Sequence, residues 1–197
     1  MTNLEISEKV YNFILNRLSL IQRIKEPGKI RASSGRVVEE LIDYSWELFA
    51  VKYNNYCFES KIGHQDEMNI FDNKGYSIKE SVDRHCYINN KIFCCFECKT
   101  YLDKCYLQRA DSDFSLMKQK GDFHKILISL ENSINENILA FFLNRNNIDE
   151  IFFLSTGKRN SKKEKRIYNQ LDRINIDLIT AFIKNLDDKI KKFLIMI

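Results

Sequence analysis

Proline and glycine are scarce: one proline, Pro27, and six glycines interrupt 197 residues. That scarcity excludes a collagen-like or low-complexity chain, and no stretch rich in proline, glycine or serine marks a linker. Regular structure should dominate. No apolar run reaches the ~18 residues needed to span a bilayer, so a transmembrane role is not expected. The opening MTNLEISEKV is polar and acidic, unlike a secretory leader, and the expectation is a cytoplasmic protein. Histidine is sparse as well. His64 and His124 read as loop residues, and His85 as a neighbour of the candidate site with no role assigned.

Neither charge sign is in strong excess: 31 Lys and Arg stand against 27 Asp and Glu, a net +4. The basic residues are unevenly spread. Lys158, Arg159, Lys162, Lys163, Lys165 and Arg166 crowd one short stretch, a pattern able to neutralise phosphates, although alone it reads as a solvated loop and helix start. Six cysteines are present: Cys57, Cys86, Cys94, Cys95, Cys98 and Cys105. In a reducing compartment they are expected as free thiols. Cys95 and Cys98 spell C-x-x-C, but they fall inside KIFCCFECK, which reads as a strand. Alternation then sends the two thiols to opposite faces, whereas zinc needs convergent ligands, so small core side chains are the better reading.

The length fits one domain, 1–197, with a catalytic core over about 34–155. Residues 4–24 carry Val10, Phe13, Ile14, Leu18 and Ile21 at helical spacing. EPGKIRASSG breaks that helix, and a second is expected from Ser34, its N-cap, with Val37, Val38, Leu41, Tyr44, Ser45, Leu48 and Phe49 as its buried stripe. Between about 56 and 99 four short strands are expected: NYCFES, DEMNIFD, YSIKESVDRHCYI and KIFCCFECK. Turn signals at Asn73–Lys74–Gly75 and Asn89–Asn90 make them an antiparallel meander. A helix over about 102–118, the strand HKILISLE, a helix around 133–144, the strand EIFFLS and a helical last forty residues follow. The fold class expected is α/β: a mixed sheet, antiparallel meander first and parallel strand after, flanked by helices.

The chemistry gathers at Asp83 and at Glu97–Cys98–Lys99. Asp83 is expected at the end of one strand, and Glu97 and Lys99 on the next, two apart and on one face. A hairpin would bring Asp83 beside Glu97. Two close carboxylates repel, and a divalent cation between them removes the penalty. Magnesium prefers few carboxylates, several waters and phosphate oxygens, and the Cys98 carbonyl offers one more oxygen. Lys99 can orient or help deprotonate a water and offset charge growing on a phosphate. Such parts suit in-line hydrolysis of a phosphodiester. A Glu-x-Lys triplet alone is common; here it ends the apolar run IFCCF, where unpaired charge is expensive.

These residues resemble the PD-(D/E)xK nuclease superfamily, and most of all type II restriction endonucleases, over roughly Ser34 to Ser155. The carriers are SSGRVVEE (33–40), SVDRH around Asp83, FECK (96–99) and TYLDK (100–104). Val82 stands where the family name has proline. The resemblance implies that Asp83 and Glu97 bind the metal and that Lys99 positions the attacking water. It also implies a helix glutamate four residues after a glycine, here Glu39 after Gly35, although the helical wheel leaves Glu39 and Glu40 both open. A restriction-endonuclease-like fold, magnesium with manganese as a substitute, a 5′-phosphate product and duplex DNA as substrate come with it.

For DNA contact, Lys104 and Gln108 share a helix face after the site, and Arg109 adjoins it. The loop after EIFFLS carries Lys158, Arg159, Asn160, Lys162 and Lys163, suited to phosphates and base edges. The expected function is a type II restriction endonuclease. A homodimer is expected because one site cuts one strand, with the first or last helix available as its interface. The rivals are a junction-resolving or repair nuclease of the same superfamily, a non-catalytic DNA-binding protein, and a zinc-binding module.

Overall fold

The computed structural model describes residues 1–63, 68–71, 75, 77–80, 82–159 and 166–197. The chain begins with helix α1 (Asn3–Gln22), started by a reciprocal cap in which the Thr2 hydroxyl accepts from the Glu5 N–H and the Glu5 carboxylate from the Thr2 N–H. Its buried stripe is Ile6, Val10, Ile14, Leu18 and Ile21. Helix α2 (Pro27–Lys52) starts earlier than the sequence suggests, with Glu26 at the N-cap. Proline in the first turn has no N–H to satisfy and its φ is already helical, so the helix begins there. Ser34 is therefore not a cap. It lies inside α2, buried, with its hydroxyl donating to the Ile30 carbonyl at 2.8 Å.

Five strands form the main sheet in the order β1 (Phe58–Ile62), β4 (Arg84–Ile88), β5 (Lys91–Leu102), β6 (His124–Asn132), β7 (Glu150–Phe153). β1, β4 and β5 are antiparallel; β6 and β7 run parallel to β5. The fold class is the expected one. The meander is interrupted, however: β2 (Met68–Phe71) and β3 (Ser77–Glu80) pair with each other as a separate hairpin, so β1 pairs directly with β4. The sequence stretch YSIKESVDRHCYI thus splits into β3 and β4. His64 and the expected turn residues Asn73 and Lys74 lie outside the described residues.

Helix α3 (Lys104–Met117) follows β5, capped by Asp103, and the eight-residue α4 (Glu136–Leu143) is capped by Asn135. The tail is less helical than expected at its start: two 3-10 turns over Ile167–Asn169 and Leu171–Arg173 precede α5 (Ile176–Met196). No helix among the described residues is long and apolar enough to cross a membrane.

The sheet separates two cores. On one face Phe96, Cys94 and Cys98 of β5 pack with α1, α2 and α5; on the other, Cys95 packs with Leu107, Phe114 and Phe142 of α3 and α4. Cys95 and Cys98 therefore face opposite ways. Cys86, Cys94, Cys95 and Cys98 are buried free thiols within these cores, and Cys57 and Cys105 are exposed. Strand β5 is buried on both faces, as a central strand must be. A knot of charge ties the first core: the buried Asp187 of α5 accepts from Lys52, Tyr53 and Asn3 and pairs with Lys191.

Candidate active site

Strand β5 outruns β4. Their ladder ends at Arg84 opposite Phe96, while residues 97–102 continue beside β6 alone. On the β4 side, the edge at Glu97–Lys99 would be left without a partner. Asp83 fills that place. It sits in a bend just before β4, not at the end of a strand, and Oδ2 accepts the Cys98 N–H at 2.7 Å. Continued by one step, the register sets Asp83 opposite Glu97. Within a strand the N–H and C=O of one residue leave by the same edge, so the Cys98 carbonyl also faces Asp83.

A glycine lets the chain reach this position. A Cβ on Gly63, at the end of β1, would lie 1.4 Å from the Val82 carbonyl oxygen, so only glycine admits the close approach of Val82 and Asp83. The Gly63 N–H donates to the Asp83 carbonyl at 3.3 Å. Arg84 clamps the other side. Its guanidinium binds Asp43 of α2 through Nε (2.8 Å) and Nη2 (3.0 Å), and through Nη1 reaches Glu39 (2.9 Å) and the Asp83 carbonyl (2.8 Å).

Glu97 and Lys99 leave β5 on one face, as alternation requires, and are paired; Lys99 Nζ also lies 3.4 Å from Asp83 Oδ2. Both acids thus meet at one ammonium. Burial, and then the Asp83 charge, push the Glu97 carboxyl up to about 7 against the pull of Lys99. Burial alone would lower the Lys99 ammonium, but Glu97 and Asp83 outweigh it and raise it. Glu39 is raised by burial and by Asp83.

These groups line a cleft of about 640 Å³ at the sheet edge. Arg36, Glu39 and Glu40 come from α2, Arg109 and Asp113 from α3, and Asp83, Arg84, Glu97 and Lys99 from between. The structure separates the two helix acids: Glu39 is tied to Arg84 beside Asp83, whereas Glu40 is held by Arg17 of α1. Asp113 was not singled out from the sequence. It lies four residues after Arg109, pairs with it at 3.7 Å, and is raised by its burial. Its only sequence signal is that spacing.

The residues expected to touch DNA are spread out. Arg109 lines the cleft; Lys104 and Gln108 line a neighbouring groove with Asn135, Asn137 and Phe141 of the α4 end. Lys158 is exposed and bridges to Asn132 at the end of β6. Arg159 stacks 3.2 Å over the Tyr101 ring, which meets Tyr106 edge-on, and Tyr106 lies 5.9 Å from Lys99 Nζ. Asn160, Lys162 and Lys163 lie outside the described residues. His85 is buried within β4, opposite Cys95, and does not line the cleft; His124 opens β6 and is no loop residue.

Among the described residues no three His, Cys, Asp or Glu side chains are grouped as ligands for one ion. What the cleft offers is two carboxylates and a main-chain carbonyl, all hard oxygens, with a cation already spanning the two acids. That donor set fits magnesium, which keeps several waters.

No protein-family model matches the chain. No curated protein matches it either. Among solved structures it is similar to NucC of P. aeruginosa ATCC27853 in its cAAA-bound form, with 10% identity, over 93% of this chain and 99% of that one, at a TM-score of 0.50. The shared feature is the fold: a mixed five-stranded sheet flanked by helices, restriction-endonuclease-like.

Proposed function

We propose that the chain is a magnesium-dependent endodeoxyribonuclease, hydrolysing phosphodiesters of duplex DNA as a type II restriction enzyme, and acting as a homodimer. The observation that carries this reading is the convergence of Asp83 and Glu97 on Lys99 inside an open cleft. The restriction-endonuclease-like fold that the chain shares with NucC supports it.

Asp83, Glu97 and the Cys98 carbonyl would hold the metal, with Glu39 behind them through Arg84. Bound there, magnesium supplies an activated water and a counter-charge for the phosphate. Lys99 already reaches both acids as a hydrogen-bond donor, and in the reaction it acts as a donor too. It hydrogen-bonds the incoming water or a non-bridging oxygen and offsets the charge that grows there. Arg84 holds Asp83 by its main chain, leaving the carboxylate to the site. Lys104, Gln108, Arg109, Lys158 and Arg159 are the described candidates for DNA contact, alongside Asn160, Lys162 and Lys163 from the sequence.

The test is incubation of the protein with unmethylated phage DNA and magnesium, then sequencing of the fragment ends. Discrete fragments with uniform ends support a restriction enzyme. Cleavage of branched DNA alone moves the reading to a junction-resolving nuclease. No cleavage with magnesium or manganese, or cleavage equally strong from Lys99→Ala, overturns it.

A further inference from the structure

We infer that Arg36 is a phosphate-binding residue, gripping a backbone phosphate beside the scissile one from the α2 rim of the cleft. The inference rests on the nuclease reading and names how that site holds its substrate.

Four cations line the cleft, against five acids: Glu39, Glu40, Asp83, Glu97 and Asp113. Arg84 is buried and locked to Asp43 and Glu39. Lys99 is taken by Glu97 and Asp83. Arg109 shares the charge of Asp113. Among the described residues, Arg36 is the cleft cation with no acid partner, and it is exposed. The reason lies in the helix. An arginine in α2 ordinarily pairs with an acid three or four positions on. Those positions are Glu39 and Glu40, and both are engaged elsewhere, Glu39 by Arg84 and Glu40 by Arg17. Two distant arginines therefore leave the Arg36 guanidinium uncompensated at the mouth of an acid-rich cleft.

A polyanion entering such a cleft is repelled unless fixed cations meet it. A guanidinium fork matches phosphate oxygens in geometry and charge. Arg36 also lines the adjoining groove between α1 and α2, with Arg17 and Ser33, so it stands between the cleft and that groove.

The experiment measures binding of a fluorescein-labelled 30-base-pair duplex by anisotropy in EDTA over a salt series, and cleavage kinetics in magnesium. Arg36→Ala should weaken binding about tenfold and cut the slope of log affinity against log salt by roughly one. In cleavage, KM should rise more than kcat falls. Arg36→Lys should restore most of the slope. Melting curves that superpose on wild type show that the fold is intact. An Arg36→Ala isotherm matching wild type at every salt concentration overturns the grip. A wild-type protein that binds duplex and never cuts it overturns the nuclease reading and leaves the grip standing; one that binds no duplex overturns both.

Discussion

Asp187 and Glu97 are both buried carboxylates in contact with a lysine, yet one is held down to about 2 and the other pushed up to about 7. Burial alone would raise Asp187, but donors from Lys191, Lys52, Tyr53 and Asn3 outweigh it. Glu97 has burial, the like charge of Asp83, and only Lys99 in compensation. The first acid is a finished knot that joins α1, α2 and α5. The second is an unfinished one, with more acid than cation, in a cleft open to solvent. A buried charge with all its donors serves the fold; a buried charge short of them leaves a place for a cation.

The sharpest way to break this contrast is Lys99→Ala. If Lys99 stabilises the transition state, cleavage falls more than about a hundredfold while duplex binding is largely kept. Equal losses in binding and cleavage would make Lys99 a mere structural partner. Asp187→Asn should cost roughly 3 kcal/mol, because Lys52 then stands buried beside a neutral amide. Thermal melting should register that as a drop of about 6–12 °C. Cleavage below the new melting range should stay near wild type, since the knot lies away from the cleft. Gly63→Ala forces a Cβ into the Val82 carbonyl and so moves Asp83; it should cost roughly 1–3 kcal/mol and also reduce cleavage, which sets it apart from Asp187→Asn.

Glu97→Gln is the smallest effect on stability and carries the opposite sign. A carboxyl raised from its ordinary 4.5 to about 7 destabilises the fold above pH 7, and that penalty is relieved as pH falls toward 4.5. Glu97→Gln should therefore raise the melting temperature of the metal-free protein by a few degrees at pH 8, by roughly 1–2 kcal/mol, and by much less at pH 5. It should also abolish cleavage and any thermal stabilisation by magnesium. Asp187 gives the reverse profile. Its contribution is present above about pH 4 and is lost as pH falls through about 2. Identical pH profiles for the two variants would erase the contrast.

The central geometry could be read from the sequence because strand alternation is strict. Glu97 and Lys99, two apart on an apolar strand, had to share a face, and one hairpin had to carry Asp83 near them. The separate β2–β3 hairpin could not be seen, since turn signals and strand propensity do not say which strands pair. The choice between Glu39 and Glu40 was hidden for a related reason. Both flank the buried stripe of α2, and what separates them is Arg84 and Arg17, neither of them on that helix. Asp113 depends on how α3 packs against the sheet edge. Gly63 looked like any of six glycines until its neighbour across the bend was known. Local periodicity shows where a side chain points; it does not show what comes to meet it.

The overhang of β5 beyond β4 has a mechanical consequence. The cleft opens where two independently consolidated layers part around one strand: α2, anchored in the core it shares with α1 and α5, and α3, anchored in the core it shares with α4. β5 is their common spine, so any shift of one layer against the other would change the width of the cleft. The span from Arg36 to Arg109 is then the width of a pair of jaws, and a pair of spectroscopic labels at those two positions would follow the bite directly.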